Sequence, residues 1–170
     1  KQTKGFLKRL YGFELTNNSF ISFQYFWKIC DTNERPIVAF IYAINQDELL
    51  AESVEVLRKV NIGEKATIDQ FEEVIEVYHP NQYSPKTRRS MAQNIASSWK
   101  QAGFIQGKVK NIRSQPEITY RVACFAFLLA YLNGKRGEFI WSSIGVSALC
   151  LQESKLRELA LECARKDFMQ

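Results

Sequence analysis

Residues 120–132, reading Tyr-Arg-Val-Ala-Cys-Phe-Ala-Phe-Leu-Leu-Ala-Tyr-Leu, constrain the fold more than any other stretch, because a helix that is apolar on every side has to be surrounded. Thr119 is placed to cap it and Asn133-Gly134 to end it. At ~1.5 Å per residue the apolar run Val122 to Leu132 is too short to cross a hydrocarbon core of ~30 Å, so the expectation is a buried core helix and no membrane. No signal peptide is expected. The sequence begins with Lys1, which carries the expectation that it is part of a longer polypeptide.

The coat for that helix is legible on both sides of it. A short helix is expected over 4–11, with Phe6, Leu7, Leu10 and Tyr11 apolar and Gly12 as its end. Ser19 is expected to cap a second helix in which Phe20, Phe23, Tyr25, Phe26, Trp27 and Ile29 crowd together. Such density belongs to an interior. A base-stacking platform is the weaker alternative, since only Lys28 supplies charge nearby. Pro36 opens a third helix, Ile37 to Asn45, and the chain restarts near Asp47 through Leu49, Leu50, Val54, Val56, Leu57 and Val60. Glu48, Glu52 and Glu55 are expected on its solvated side, with no catalytic pairing. Phe139-Ile140-Trp141 reads as a short strand or a helix turn, and the last helix, about 153–168, turns Leu156, Leu159, Ala160, Cys163 and Ala164 inward. The turn Gly134-Lys135-Arg136-Gly137 is ordinarily a solvated feature, though its cations suit a phosphate.

Between Tyr78 and Pro116 the chain changes character. Ser84-Pro85 is a helix start, with a hydroxyl to accept from orphan N–H groups and a proline where a missing donor costs nothing. Gly103 is the matching stop. Met91, Ala92, Ile95, Trp99 and Ala102 recur at helical spacing as the buried stripe, and the opposite arc carries Arg89, Ser90, Gln93, Asn94, Ser97, Lys100 and Gln101. Solvated helix faces usually mix signs to gain i,i+4 pairs, and this one has no acid. After Gly103 a loosely alternating segment carries Lys108, Lys110 and Arg113 and ends at Pro116. Upstream, Thr67-Ile68-Asp69-Gln70 is a capping box opening a helix Ile68 to Tyr78. Helix, helix and basic hairpin in that order predict a winged-helix-like module.

The net charge of +5 becomes informative once it is located. Of the 23 Lys and Arg, seven (Lys86, Arg88, Arg89, Lys100, Lys108, Lys110 and Arg113) lie in 77–116 with no Asp or Glu, leaving 16 bases against all 18 acids elsewhere. The excess positive charge therefore sits in the helix and hairpin, the footprint of a phosphate-binding surface.

Catalytic and metal chemistry leave no comparable mark. Cys30, Cys124, Cys150 and Cys163 stand singly in apolar contexts beside a single histidine, His79, so buried thiols in a reducing cytoplasm are expected, with no metal site and no cofactor. No glycine-rich phosphate loop follows a strand and no nucleophile–histidine set can be assembled.

The apolar helix followed by Asp47-Glu48-Leu49-Leu50, then Ser84-x-x-Thr87-Arg88, Ala92 and Ala102-Gly103-Phe104-Ile105, resembles the BrxA proteins of BREX phage-exclusion systems over about residues 37–113. The resemblance implies a small, mostly helical protein that binds double-stranded DNA within a phage-defence complex, with other subunits of that complex as partners.

The expected fold is mainly α, a multi-helical domain containing a winged-helix-like module. An N-terminal helical part would span 1–62, the basic module 63–118 and C-terminal helices 119–170, with a hinge at Ile62-Gly63. The expected function is non-enzymatic duplex DNA binding. Lys86, Arg88, Arg89, Lys100, Lys108, Lys110 and Arg113 would meet phosphates, and Ser90, Gln93, Asn94 and Ser97 would face base edges or sugar. A helical adaptor within a larger complex, or an RNA-binding protein, are the alternatives.

Overall fold

A computed structural model describes residues 5, 11–12, 16–107 and 110–168. The helix expected over 4–11 and the wing residue Lys108 lie largely or wholly outside the described residues. The protein is mainly helical, with one two-stranded sheet. It divides into two compact units, residues 1–47 with 118–170, and residues 48–117.

In the first unit, α1 (Asn18–Ile29) and α2 (Arg35–Ile44) both contact α7 (Tyr120–Leu132), and so do α8 (Ile144–Ser147) and α9 (Glu153–Arg165). The all-apolar helix is thus the hub its composition requires, with Val122 through Phe127, Leu129 and Ala130 buried. Thr119 caps it through the Val122 N–H. Asn17, two residues before the expected Ser19, caps α1 by accepting from the Ser19 and Phe20 N–H groups. Residues 137–140 form a 3₁₀ turn. Along α9, Leu156, Leu159 and Cys163 turn inward as expected, whereas Ala164 is exposed, because at about 100° per residue it stands to the side of the stripe that Cys163 continues.

Where α2 and α7 begin, buried Glu34 ties the two starts together. Its carboxylate accepts from the Asp31 N–H at 2.6 Å, the Thr119 hydroxyl and the Arg121 guanidinium at 3.1 Å. Burial alone would push its pKa up, but these hydrogen bonds outweigh burial and hold it below the ordinary carboxylate value.

The second unit holds α3 (Glu48–Glu52), α4 (Val54–Lys59), α5 (Ile68–Tyr78), α6 (Pro85–Gln101) and the hairpin of β1 (Ile105–Gln106) and β2 (Ile112–Arg113). The expected single helix after Asp47 is broken at Ser53, and both pieces belong with the basic segment rather than with the N-terminal helices. The unit therefore begins at Glu48, not at Ile62-Gly63. The packing reason is that α3 and α4 both lie against α5, and buried Leu57, Val56 and Phe71 share one interior.

Local signals in this unit hold. Thr67 and Gln70 make a reciprocal capping box, and Ser84 accepts from the Thr87 N–H with Pro85 next in line. Gly103 leaves the helix at φ +85, where a side chain would also crowd the Pro116 ring at 3.3 Å. On α6, Ala92, Ile95, Trp99 and Ala102 are buried, and Met91 half-buried.

Candidate functional site

The outer side of α6 is built by elimination. Its inner stripe is fixed by Trp99 and its neighbours, so helical geometry leaves Lys86, Ser90, Gln93, Asn94 and Ser97 exposed and Lys100 half-buried along one arc. None of these six side chains faces a carboxylate among the described residues. Gln101 is exposed beside them.

The hairpin carries exposed polar groups of its own. Ile105 opposes Arg113 and Gln106 opposes Ile112, so the pleat turns Ile105 and Arg113 inward and Gln106 outward. Lys65 bridges Ile112 from the other side, which puts Lys65, Ile112 and Gln106 in one cross-strand row with Lys65 and Gln106 exposed. The Ala66 N–H donates to the Asn111 carbonyl and the Arg113 N–H to the Glu64 carbonyl, at 2.9 and 2.8 Å, so residues 63–66 form a third edge of the ribbon. Asn111, at φ +46, turns the loop that carries exposed Lys110.

Three of the seven expected cations are committed elsewhere. Arg113 is 3% exposed and its guanidinium is spent on carbonyls of Leu57 and Phe104 (both 3.3 Å), the Ser114 carbonyl and the Gln115 amide oxygen (3.2 Å). It is a bolt under the hairpin and cannot reach a phosphate. The alternating pattern misreads it because a long guanidinium can satisfy itself on the inner face where an apolar side chain would ordinarily sit. Arg88 stands four and seven residues before Ala92 and Ile95, on the buried side of the helix, and pairs with Glu76. Arg89 lies at the edge of the arc and reaches Glu72 at 2.6 Å and Asp69. Hydrogen bonds that it donates to Glu72 and then Asp69 raise its pKa further above the ordinary guanidinium value. All three acids belong to α5, which lies against α6. The clean 77–116 window had no view of them, since the counter-charges sit up to 20 residues upstream.

Among the described residues, Lys86, Lys100 and Lys110 of the seven face no carboxylate, and Lys108 lies outside them; Lys65 joins the three, a residue that sequence reading passed over because it precedes the capping box. Its position in the ribbon depends on pairing with Ile112, and no local signal announces a bridge of that span. Asp69, Glu72, Glu73, Glu76, Val77 and Arg88 line an open acidic trough where α5 lies beside the start of α6.

The expected solvated carboxylates also divide. Glu55 meets Lys59 at 3.1 Å and the Tyr78 hydroxyl, and the hydroxyl's hydrogen bond is the main reason its pKa is lowered. Glu52 is largely covered, with both oxygens 3.0 Å from His79 Nε2, while His79 Nδ1 meets Gln82. That contact pins the end of α5 to α3. Among the described residues no cluster of three metal-ligating side chains occurs, and no helix is long and apolar enough to cross a membrane.

No family model, curated protein or solved structure matches the chain. The likeness to the BrxA proteins stands on the short motifs alone.

Proposed function

We propose that residues 48–117 form a winged-helix-like module that binds duplex DNA without catalysis. The observation that carries this reading is the arc of α6 on which Lys86, Ser90, Gln93, Asn94, Ser97 and Lys100 stand together with no carboxylate. Supporting it is the order of elements: α4, the edge at Lys65, α5, α6 and the hairpin follow the sequence of a winged helix, with α6 in the recognition position. Lys86 and Lys100 would hold phosphates from the helix, Lys110 and Lys65 from the ribbon. Ser90, Gln93, Asn94 and Ser97 would meet base edges or sugar. Within the resemblance stated above, the natural setting is a phage-defence complex.

Fluorescence anisotropy with a random-sequence duplex tests the reading. The double variant Lys86→Glu, Lys100→Glu is expected to lose most of its affinity while keeping the wild-type helical signal and melting temperature. Competition with RNA of the same sequence distinguishes the sugar, to which a charge argument is blind. An adaptor role draws on one observation, Val77 standing 70% exposed in the acidic trough, a surface that suits a basic protein partner. Full duplex affinity in the charge-reversed variant would move the conclusion to that reading.

A further inference from the structure

The turn that closes α7 carries chemistry that the duplex reading does not use. Its conformation is set by the helix end: Gly134, at φ +81, lets the Lys135 N–H return to the Ala130 carbonyl at 2.9 Å. Arg136 is then held rigidly. One guanidinium nitrogen donates to the Tyr131 and Lys135 carbonyls at 2.6 and 2.7 Å, and the plane lies 3.6 Å from the centre of the Tyr131 ring. Its Nε and second terminal nitrogen are directed to no protein acceptor among the described residues. One helical turn on, Phe139 is 71% exposed at the crest of the 3₁₀ turn, with its N–H on the Arg136 carbonyl at 3.2 Å. The one carboxylate of the turn, Glu138, is occupied by Arg157 at 2.8 Å. Lys135 is exposed, with no ion pair among the described residues.

A fixed guanidinium, a free ammonium and an uncovered aromatic ring within five residues match the two halves of a nucleotide. Phosphate is recognised by the planar cation and its neighbour, and a base by stacking. We propose that the 135–139 turn is a binding site for unpaired nucleotides, in which Phe139 stacks on a base while Arg136 and Lys135 hold the adjoining phosphate. A duplex hides its base faces, so this site is selective for single strands. An anionic lipid surface shares the phosphate chemistry but is the poorer fit, since one ring and two cations on a tight turn offer little apolar area, and membrane-surface helices rely on a broad apolar face.

The proposal does not depend on the α6 reading, and the full chain tests the two apart. Binding of a labelled oligothymidylate is compared for wild type, Phe139→Ala, Phe139→Trp, Lys135→Glu, and Lys86→Glu with Lys100→Glu. The expected result is about tenfold weaker single-strand binding in Phe139→Ala, recovery in Phe139→Trp, and a further loss at Lys135→Glu. Single-strand binding persists in the α6 double variant, and duplex binding is unchanged in Phe139→Ala. Because Phe139 and Lys135 are exposed, these changes leave folding intact. Equal oligothymidylate affinity in wild type and Phe139→Ala overturns the proposal, as does retention of phosphatidylserine vesicles through Phe139 with no oligonucleotide binding.

Discussion

The indole N–H of Trp99 donates to the Ser53 hydroxyl at 2.7 Å, and that hydroxyl donates in turn to the Leu50 carbonyl at 2.6 Å. This short relay, buried at both side chains, fastens the last turn of α6 to the break between α3 and α4 across 46 residues of chain. It also explains why the helix after Asp47 is interrupted there. A serine that turns its hydroxyl back to a carbonyl three residues earlier competes with the helical ladder. Ser53→Ala deletes the acceptor offered to the indole and is expected to destabilise the protein by about 1–3 kcal/mol in urea unfolding. The α6 surface is untouched, so duplex affinity measured below the transition should equal that of the wild type.

Arg113 and Lys110 separate a buried from an exposed cation within one hairpin. Removing the buried guanidinium takes a donor from the carbonyls of Leu57, Phe104 and Ser114, of which Phe104 keeps the Ser114 N–H, so Arg113→Met is expected to cost about 3 kcal/mol. Arg113→Lys keeps the charge but not the fork, and should recover only part of the loss. Lys110→Glu, at an exposed loop position, should leave the denaturation midpoint unmoved and weaken duplex binding. The reverse pattern, with Arg113→Met stable and Lys110→Glu unfolded, would contradict the burial assignment.

These two cations also mark how far the sequence could be read. Signals that act within a few residues were legible: the Thr67 box, the Ser84 cap and Pro85, the Gly103 stop and the all-apolar helix at 120–132. Each depends on backbone hydrogen bonds or sterics local to the chain. What the sequence hid was assembled at a distance. The acids that claim Arg88 and Arg89 lie on the preceding helix, and the strand partner of Lys65 is Ile112. Glu52 looked solvated because the pattern offers no hint that His79 would fold back on it. Counting charges along the chain therefore overstated the site, while the polar arc of Ser90, Gln93, Asn94 and Ser97, set by helical period alone, was correctly placed on the exposed side.

Glu34 makes the first unit sensitive to acid. Its pKa is lower folded than unfolded, where the ordinary value is 4.5. The stabilisation it supplies is accordingly present above about pH 4.5 and is lost as pH falls through the lower folded value. Glu34→Gln cannot hold Arg121 by charge and should be less stable than wild type at neutral pH. The gap between the two denaturation midpoints is expected to narrow as pH is lowered below the ordinary carboxylate value. A constant gap from pH 7 to pH 3 would show that Glu34 contributes by shape alone.

Thiol labelling reads the burial of the same unit. Cys30, Cys124 and Cys163 are buried and Cys150 is half-buried. Burial first, and then the Glu34 carboxylate, push the Cys30 thiol up to about 12, far from the thiolate that reacts with a disulfide reagent. At pH 8 one thiol is expected to react early, and Cys150→Ser should abolish that phase. The other three should be modified only at the rate of opening, faster in urea and faster in Glu34→Gln.

The strength of salt dependence measures how many cations a polyanion meets, and the two ways of counting them disagree. Seven bases in 77–116 would give a slope of about −6 in a plot of log K against log salt, at roughly −0.9 per phosphate. Four uncommitted lysines among the described residues, Lys86, Lys100, Lys110 and Lys65, with Lys108 as a fifth outside them, give about −4 to −5 on the same rule. Arg113 cannot join them without unfolding the hairpin, and Arg88 and Arg89 would first have to leave Glu76, Glu72 and Asp69, a process that itself becomes easier in salt. Titration of a random duplex over a range of salt should therefore return the shallower slope, and Lys65→Gln should reduce it by about one unit even though Lys65 lies outside the basic window. A slope near −6 would mean that the α5 acids release their arginines to the ligand, and a flat line would remove phosphate contact from the α6 surface.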